Sequence, residues 1–156
     1  MTKISFKKFS KIDTEKFKSL NLEWLDRYFK VEPIDELVLN NPEREIIGEG
    51  GFIFMIQKNY STIGTFAFIK KTEKVFEFSK MAITPEERGK GYGNKAMKYL
   101  IRFAKNKKWS KLILYSNRKL KNSIHLYRKY GFKEVSLEKN IIYSRGNIKM
   151  ELSLIH

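Results

Sequence analysis

The sequence contains no cysteine and only two histidines among its 156 residues. Without thiols there is no structural disulfide, no thiolate metal site and no cysteine nucleophile, and cysteine usage leaves the redox compartment open. Long apolar runs are missing too. Nowhere do about 18 apolar residues follow one another, so no helix is expected to span a membrane. The first ten residues, Met1 to Ser10, mix lysines with apolar side chains and do not form a secretory signal. The expectation is a cytoplasmic protein with no membrane partner. Acidic residues are scarce beside basic ones, 17 Asp and Glu against 32 Lys and Arg, a formal charge of +15. Such a balance suits a nucleic acid, an anionic membrane surface or an anionic ligand. It also follows from a composition rich in lysine, asparagine, isoleucine and phenylalanine, with the lysines scattered along the chain rather than gathered in one tract.

Apolar residues make up 42% of the chain and aromatics 14%, enough for one globular domain over residues 1–156. Lys3 to Phe6 reads as a first strand. Asp13 or Thr14 then caps a helix carrying Phe17, Leu20, Trp24, Leu25 and Tyr28 or Phe29 on one side. Pro33 interrupts that pattern, and Ile34 to Leu39 forms a second short helix before Asn41-Pro42. Phe52 to Ile56, Thr62 to Ile69 and Val75 to Ile83 are strands joined by short polar turns, an antiparallel meander. Asn94 to Lys105 has helical periodicity, Leu112 to Tyr115 is a short buried strand, and Leu120 to Tyr130 is a helix ended by Gly131. Phe132 to Val135 and Asn147 to Leu154 close the chain as strands. The order is βαα, βββ, αβα, ββ, an α/β (α+β) arrangement. It has a mixed, mostly antiparallel sheet and about four helices.

The segment with chemical content is Met81-Ala82-Ile83-Thr84-Pro85-Glu86-Glu87-Arg88-Gly89-Lys90-Gly91-Tyr92-Gly93-Asn94. A strand ends, a glycine-rich turn follows and a helix begins. Gly89, Gly91 and Gly93 lack the Cβ atoms that block close approach, so successive N–H groups can converge on a phosphate. The positive end of the helix dipole points the same way, and Arg88, Lys90 and Lys95 add charge. A tight structural turn would have the same composition. Neither the dinucleotide spacing Gly-x-Gly-x-x-Gly nor the phosphate-loop ending Gly-Lys-Ser/Thr is present.

Arg88-x-x-Gly91-x-Gly93 resembles the pyrophosphate-binding signature of the GNAT superfamily of N-acetyltransferases. Ser123-Ile124-His125-Leu126-Tyr127-Arg128-Lys129-Tyr130-Gly131-Phe132 resembles its second hallmark, a helix carrying Leu-Tyr followed by Gly-Phe. The element order matches that fold end to end. The resemblance implies transfer of an acetyl group from acetyl-CoA directly to a primary amine, with no metal and no covalent enzyme intermediate. It implies backbone contacts to the cofactor from Met81, Ala82 and Ile83, and a pyrophosphate site on Arg88, Gly89, Lys90, Gly91, Tyr92, Gly93 and Asn94. Tyr127 becomes the general acid that protonates the leaving thiolate, although its stripe with Leu120 and Ile124 also suits a core residue. Glu77 becomes the general base, on the strand face of Ser79, Met81 and Ile83. The alternatives are an ion pair for this glutamate and a water relay for the proton.

Many relatives carry an asparagine where this chain has Leu120, which shifts the polar pantetheine contact to Asn117 or Asn122. A loop cap is the other use for either asparagine. Trp24, Tyr28 and Arg145 are candidates for the acceptor side, with Tyr143 in the same late loop as Arg145. Glu23, Asp26 and Glu32 could make that side locally acidic. His125 points away from the face of Tyr127 and receives no role. Two competing readings remain: a basic nucleic-acid-binding domain, and a non-catalytic acyl-CoA-binding regulator of the same fold. The first is disfavoured because no zinc framework, helix-turn-helix pattern or RNA-binding strand motif is present. A homodimer would be an ordinary outcome for a small enzyme.

Overall fold

The computed structural model describes residues 2–140 and 144–155. Its elements run β1 (Ile4–Lys8), α1 (Thr14–Tyr28), α2 (Pro33–Asn40), β2 (Phe52–Lys58), β3 (Ser61–Lys70), β4 (Val75–Ile83), α3 (Tyr92–Asn106), β5 (Lys111–Ser116), α4 (Lys121–Lys129), β6 (Lys133–Val135) and β7 (Ile148–Ser153). The strand order is β1-β2-β3-β4-β5-β7-β6. Pairing is antiparallel for β1 with β2, β2 with β3, β5 with β7 and β6 with β7, and parallel for β4 with β5. Among the described residues, no helix is long and apolar enough to cross a membrane.

The chain packs as two compact units, Met1–Lys70 with Phe78–Lys90, and Lys71–Glu77 with Gly91–His156. Strand β4 runs through both.

In the first unit, Ser10 and Asp13 form a capping box around a short 3-10 turn ahead of α1, with the Ser10 N–H donating to Asp13 Oδ2 at 2.9 Å. Lys7 Nζ reaches the same carboxylate at 2.7 Å. Asp13 therefore serves the turn rather than capping α1 with its side chain. Helix α2 begins on Pro33, whose missing N–H costs nothing in the first turn. The segment Glu43–Ile47, without any periodic pattern in sequence, closes as a π-helical turn.

Phe17, Leu20 and Leu25 of α1, Leu39 of α2 and Ile46 cover one sheet face, made of Ile53, Met55, Ala67 and Ala82. Phe17 and Met55 are fully buried, each contributing on the order of 2 kcal/mol by removal from water. The opposite face is aromatic. Phe66 meets Phe54, Phe68, Phe78 and Phe6 with ring centroids 5.4–6.3 Å apart.

Strand β4 breaks the period of two. Phe78 packs on Phe66, while Ala82, an even number of residues later, lies on the opposite face with Ile53 and Ala67. Ile83 is back on the aromatic face, where its Cγ1 would lie 3.2 Å from a Cβ at Gly64. The reversal falls at Lys80, whose φ is +58°. One residue in the left-handed region takes an extra step and exchanges the two faces of the strand beyond it.

In the second unit, Ala96, Met97, Leu100 and Ala104 form the fully buried stripe of α3. Phe76 stacks on Trp109 with centroids 3.7 Å apart. Val75–Glu77 pair in parallel with Lys111–Ile113, three residues on strands of nine and six. Helix α4 contains no fully buried residue, although Ile124, Leu126 and Tyr127 are half-buried.

Candidate functional site

The turn between β4 and α3 starts with Thr84, whose N–H donates to the Ile63 carbonyl at 2.8 Å and whose hydroxyl donates to Glu86 at 2.7 Å. Pro85–Glu87 form one 3-10 turn. Glu87 is the anchor. Its carboxylate accepts from Lys58 Nζ at 2.7 Å and from Lys90 Nζ at 3.0 Å. These hydrogen bonds, with Lys58 the larger contributor, hold its carboxyl below the usual carboxylate range.

Gly89 and Gly91 follow with φ of +77° and +83°, values that favour glycine. Among the described residues, a Cβ added at either would meet no atom within 4 Å. Both glycines are therefore favoured by backbone shape and border open space. Gly91 is the N-cap of α3, which starts at Tyr92, two residues before the periodicity suggests. The N–H groups of the first helical turn have no partner within the helix. Gly93 differs: its φ is not positive, and an added Cβ would sit 3.2 Å from Leu126 Cδ2. Its missing side chain serves the approach of α3 and α4.

Arg88 does not add its charge to the glycine turn in the way the sequence suggests. Its guanidinium pairs with Glu23 through Nη2 and lies over the Tyr28 ring at 5.8 Å. Its Nη1 is buried with no hydrogen-bond partner among the described residues, an arrangement that costs about 1–3 kcal/mol. Glu23, expected to lend α1 an acidic surface, is instead neutralised by this arginine. Trp24 lies 5.4 Å from Tyr28 and 5.5 Å from Phe29 between ring centroids. It packs against the core cluster, so the first unit brings Trp24, Tyr28, Glu23 and Arg88 together.

In the second unit, Tyr127 is fixed by the end of its own helix. The Phe132 N–H donates to the Tyr127 carbonyl at 3.1 Å and the Gly131 N–H to the Arg128 carbonyl at 3.0 Å. This is a Schellman cap with Gly131 at φ +98°. The cap's apolar contact is Tyr127 against Phe132, 6.1 Å between ring centroids. The Leu-Tyr…Gly-Phe pattern thus has a mechanical content: Gly131 turns the chain and Phe132, 2% exposed, braces the tyrosine ring. Part of the ring stays accessible, but the hydroxyl is surrounded by protein. Desolvation pushes its pKa up to about 12, with a hydrogen bond to Ser123 acting the other way. Gly131→Ala is expected to cost about 1–2 kcal/mol, because a Cβ is strained at this φ. Urea unfolding of the two proteins measures it.

Glu77 is 12% exposed at its side chain and lies 3.7 Å from Lys71 Nζ, so the ion pair anticipated for it exists. The expected sharing of a strand face with Met81 and Ile83 is corrected by the reversal at Lys80. Along the strand, Glu77 and Ser79 take the side that Ala82 takes, and Met81 and Ile83 the other. Desolvation raises the pKa of Tyr115 most, followed by the 2.6 Å hydrogen bond it donates to Glu138 and by the charges of Glu138, Glu77 and Glu151.

Asn117 donates from Nδ2 to the Arg145 carbonyl at 2.7 Å and accepts the Lys119 N–H at 3.0 Å. Both ends of its amide serve the loop. Asn122 is exposed in the first turn of α4, Arg145 is half-buried, and Tyr143 lies outside the described residues. Two residues escaped the sequence reading. Lys129 Nζ and the Tyr130 hydroxyl both donate to Asn94 Oδ1, at 2.9 and 3.0 Å, joining the end of α4 to the first turn of α3. Their place after the Leu-Tyr pair was the available signal.

A strand-to-helix turn with two left-handed glycines and a capped tyrosine helix two elements later agree with the comparisons. The acetyltransferase (GNAT) family model matches residues 17–132, and the chain belongs to that family. A GNAT-family acetyltransferase from Staphylococcus aureus Mu50 superposes with a TM-score of 0.85 at 18% identity, over 98% of this chain and 100% of that one. An acetyltransferase from Streptococcus agalactiae 2603 gives 0.80 at 18%, over 96% and 98%. Spermidine N-acetyltransferase from Vibrio cholerae, in complex with CoA and spermine, gives 0.75 at 20%, over 97% and 95%. At these identities the likeness establishes the fold. No curated protein matches the chain in sequence comparison.

Proposed function

We propose that the protein is an N-acetyltransferase that moves the acetyl group of acetyl-CoA directly to a primary amine. The observation that carries this is the turn at Gly89 and Gly91, where left-handed backbone is combined with open space at both positions. Such a turn at a helix N-terminus suits a pyrophosphate. The buried Nη1 of Arg88, without a hydrogen-bond partner among the described residues, is a second feature compatible with an anionic ligand. Acetyl-CoA supplies the thioester whose acyl carbon the amine attacks.

On this reading the main chain of Met81, Ala82 and Ile83 binds the pantetheine arm, and the backbone from Arg88 to Asn94 binds the pyrophosphate. Glu87 positions that backbone through Lys58. Asn117 acts as loop scaffold rather than as a direct contact, and Asn122 is the polar candidate left for the pantetheine. Tyr127 protonates the leaving thiolate. Glu77 removes the proton from the attacking amine, on the strand side opposite to Met81 and Ile83. Trp24 and Tyr28 help shape the acceptor side of α1, and Arg145 is a cation of the late loop that could meet an acceptor carboxylate.

The test is turnover of acetyl-CoA with a panel of amines, read as free thiol, alongside calorimetric titration of acetyl-CoA. Saturable binding at one site per chain with amine-dependent thiol release supports the reading, and absence of both ends it. Glu77→Gln is expected to lower kcat about 100-fold at neutral pH with little change in the acetyl-CoA KM. An unchanged rate would assign the amine proton to water instead.

A further inference from the structure

We propose that the outward face of α3 is a docking surface for the phosphate backbone of a nucleic acid. Lysine is spread along the whole chain, but its surplus over acid is not. Residues 88–133 hold fifteen Lys and Arg and no Asp or Glu, and the remaining residues hold seventeen of each sign. The entire excess of +15 therefore resides in the stretch from the glycine turn to the start of β6.

Within that stretch the charge is ordered on one helix. Lys95, Lys98, Arg102 and Lys105 of α3 are all exposed, and their spacing of three, four and three residues places them within an arc of about 80°. The arc lies opposite the buried stripe of Ala96, Met97, Leu100 and Ala104. Among the described residues, no ion pair engages any of the four cations. Other cations of the segment are neutralised, such as Arg118 and Arg128 by Glu134 and Lys111 by Glu151. Beside the stripe lies an open groove of about 310 Å³ lined by Lys98, Ile101, Arg102, Lys105 and Tyr130. Ile101 and Tyr130 give it apolar surface between charges, suited to the carbon face of a sugar.

The repeat favours a nucleic acid over an acidic protein. Four cations spread over about 15 Å of helix face about four phosphates of one strand, which carries a charge every ~3.4 Å of duplex axis. Carboxylates on a protein surface have no such fixed spacing. This surface is a second activity beside acetyl transfer and does not depend on it.

Anisotropy of a labelled 20-base-pair DNA duplex, titrated with the full chain between about 50 and 200 mM KCl, tests the proposal. The expected slope of log affinity against log salt is about −3 to −4, from about four phosphate contacts. The combined variant Lys98→Gln, Arg102→Gln, Lys105→Gln is expected to flatten that slope by about 2 to 3 and to lose at least tenfold in affinity at the low-salt end. A control variant with the same charge change, Lys11→Gln, Lys16→Gln, Lys30→Gln, is expected to keep the slope. The proposal is overturned if the chain ignores the duplex at low salt. It is also overturned if both variants lose equally, which makes the effect general charge. Binding of polyglutamate without binding of duplex, erased by the α3 variant, would assign the face to an acidic protein and end the nucleic-acid reading. Thiol release by the α3 variant is a separate readout and is expected to stay at the wild-type rate.

Discussion

Tyr127→Phe is expected to lower kcat for acetyl transfer by about 100- to 1000-fold while leaving the acetyl-CoA KM and the melting temperature nearly unchanged. General acid catalysis by one side chain is worth about that much. The substitution removes only the hydroxyl, and a phenylalanine ring keeps the brace against Phe132, 6.1 Å away. The Schellman cap of α4 is made by main-chain atoms and Gly131, so it does not depend on the hydroxyl either.

The pH dependence sharpens the test. Burial pushes the Tyr127 phenol up to about 12 from an ordinary value of 10.0, so the acid stays protonated across the physiological range. Any alkaline fall in rate well below pH 12 then belongs to another group. Linkage gives a second readout. Because the folded pKa lies above the unfolded one, the stability contributed by the neutral phenol is fully present below about pH 10 and is lost as pH rises toward about 12. The phenylalanine variant lacks this loss, and its alkaline unfolding is expected at higher pH than that of the wild type. A variant with full turnover would make the phenol a spectator, with water protonating the thiolate.

The helices and strands were legible because each carries its period. The stripe Ala96, Met97, Leu100, Ala104 and the alternation Ile148, Met150, Leu152 announce their elements, and Gly131 announces the end of α4. What escaped the sequence has specific causes. Lys80 gives no sign of a positive φ, since lysine is an ordinary strand residue; only the side on which Ala82 packs reveals the reversal. The faces assigned to Glu77, Met81 and Ile83 therefore came out wrong although the strand itself came out right. Arg88 pairs with Glu23, 65 residues away in sequence, a contact that no local pattern encodes. Asn117 is an asparagine in a loop, and its two hydrogen bonds depend on where Arg145 and Lys119 end up. Local chemistry was readable, and long-range partners were not.

The three glycines of the turn look equivalent in sequence and separate sharply in the structure, which gives the second large prediction. Gly91→Val is expected to weaken acetyl-CoA binding at least about 100-fold, some 2.7 kcal/mol. The added side chain projects into the open space beside Gly91, where the proposed pyrophosphate approaches the backbone. The fold is expected to survive, since among the described residues a Cβ there touches no protein atom within 4 Å. A β-branched residue at φ +83° carries strain of about 1–2 kcal/mol, a fall of about 2–8 °C in melting temperature for a chain of this size. Gly93→Ala is the contrast. It lies inside α3, where alanine favours the helix by about 1 kcal/mol over glycine. Its Cβ presses on the flexible end of Leu126 at 3.2 Å, so stability is expected to change by less than about 1 kcal/mol and affinity by only a few-fold. Calorimetric titration of acetyl-CoA into the two variants, with a thermal melt of each, separates the roles. Strong loss at Gly91 alone places the ligand against the turn itself. Equal loss at both would mean that affinity follows the packing of α3 on α4, and the turn would be structural.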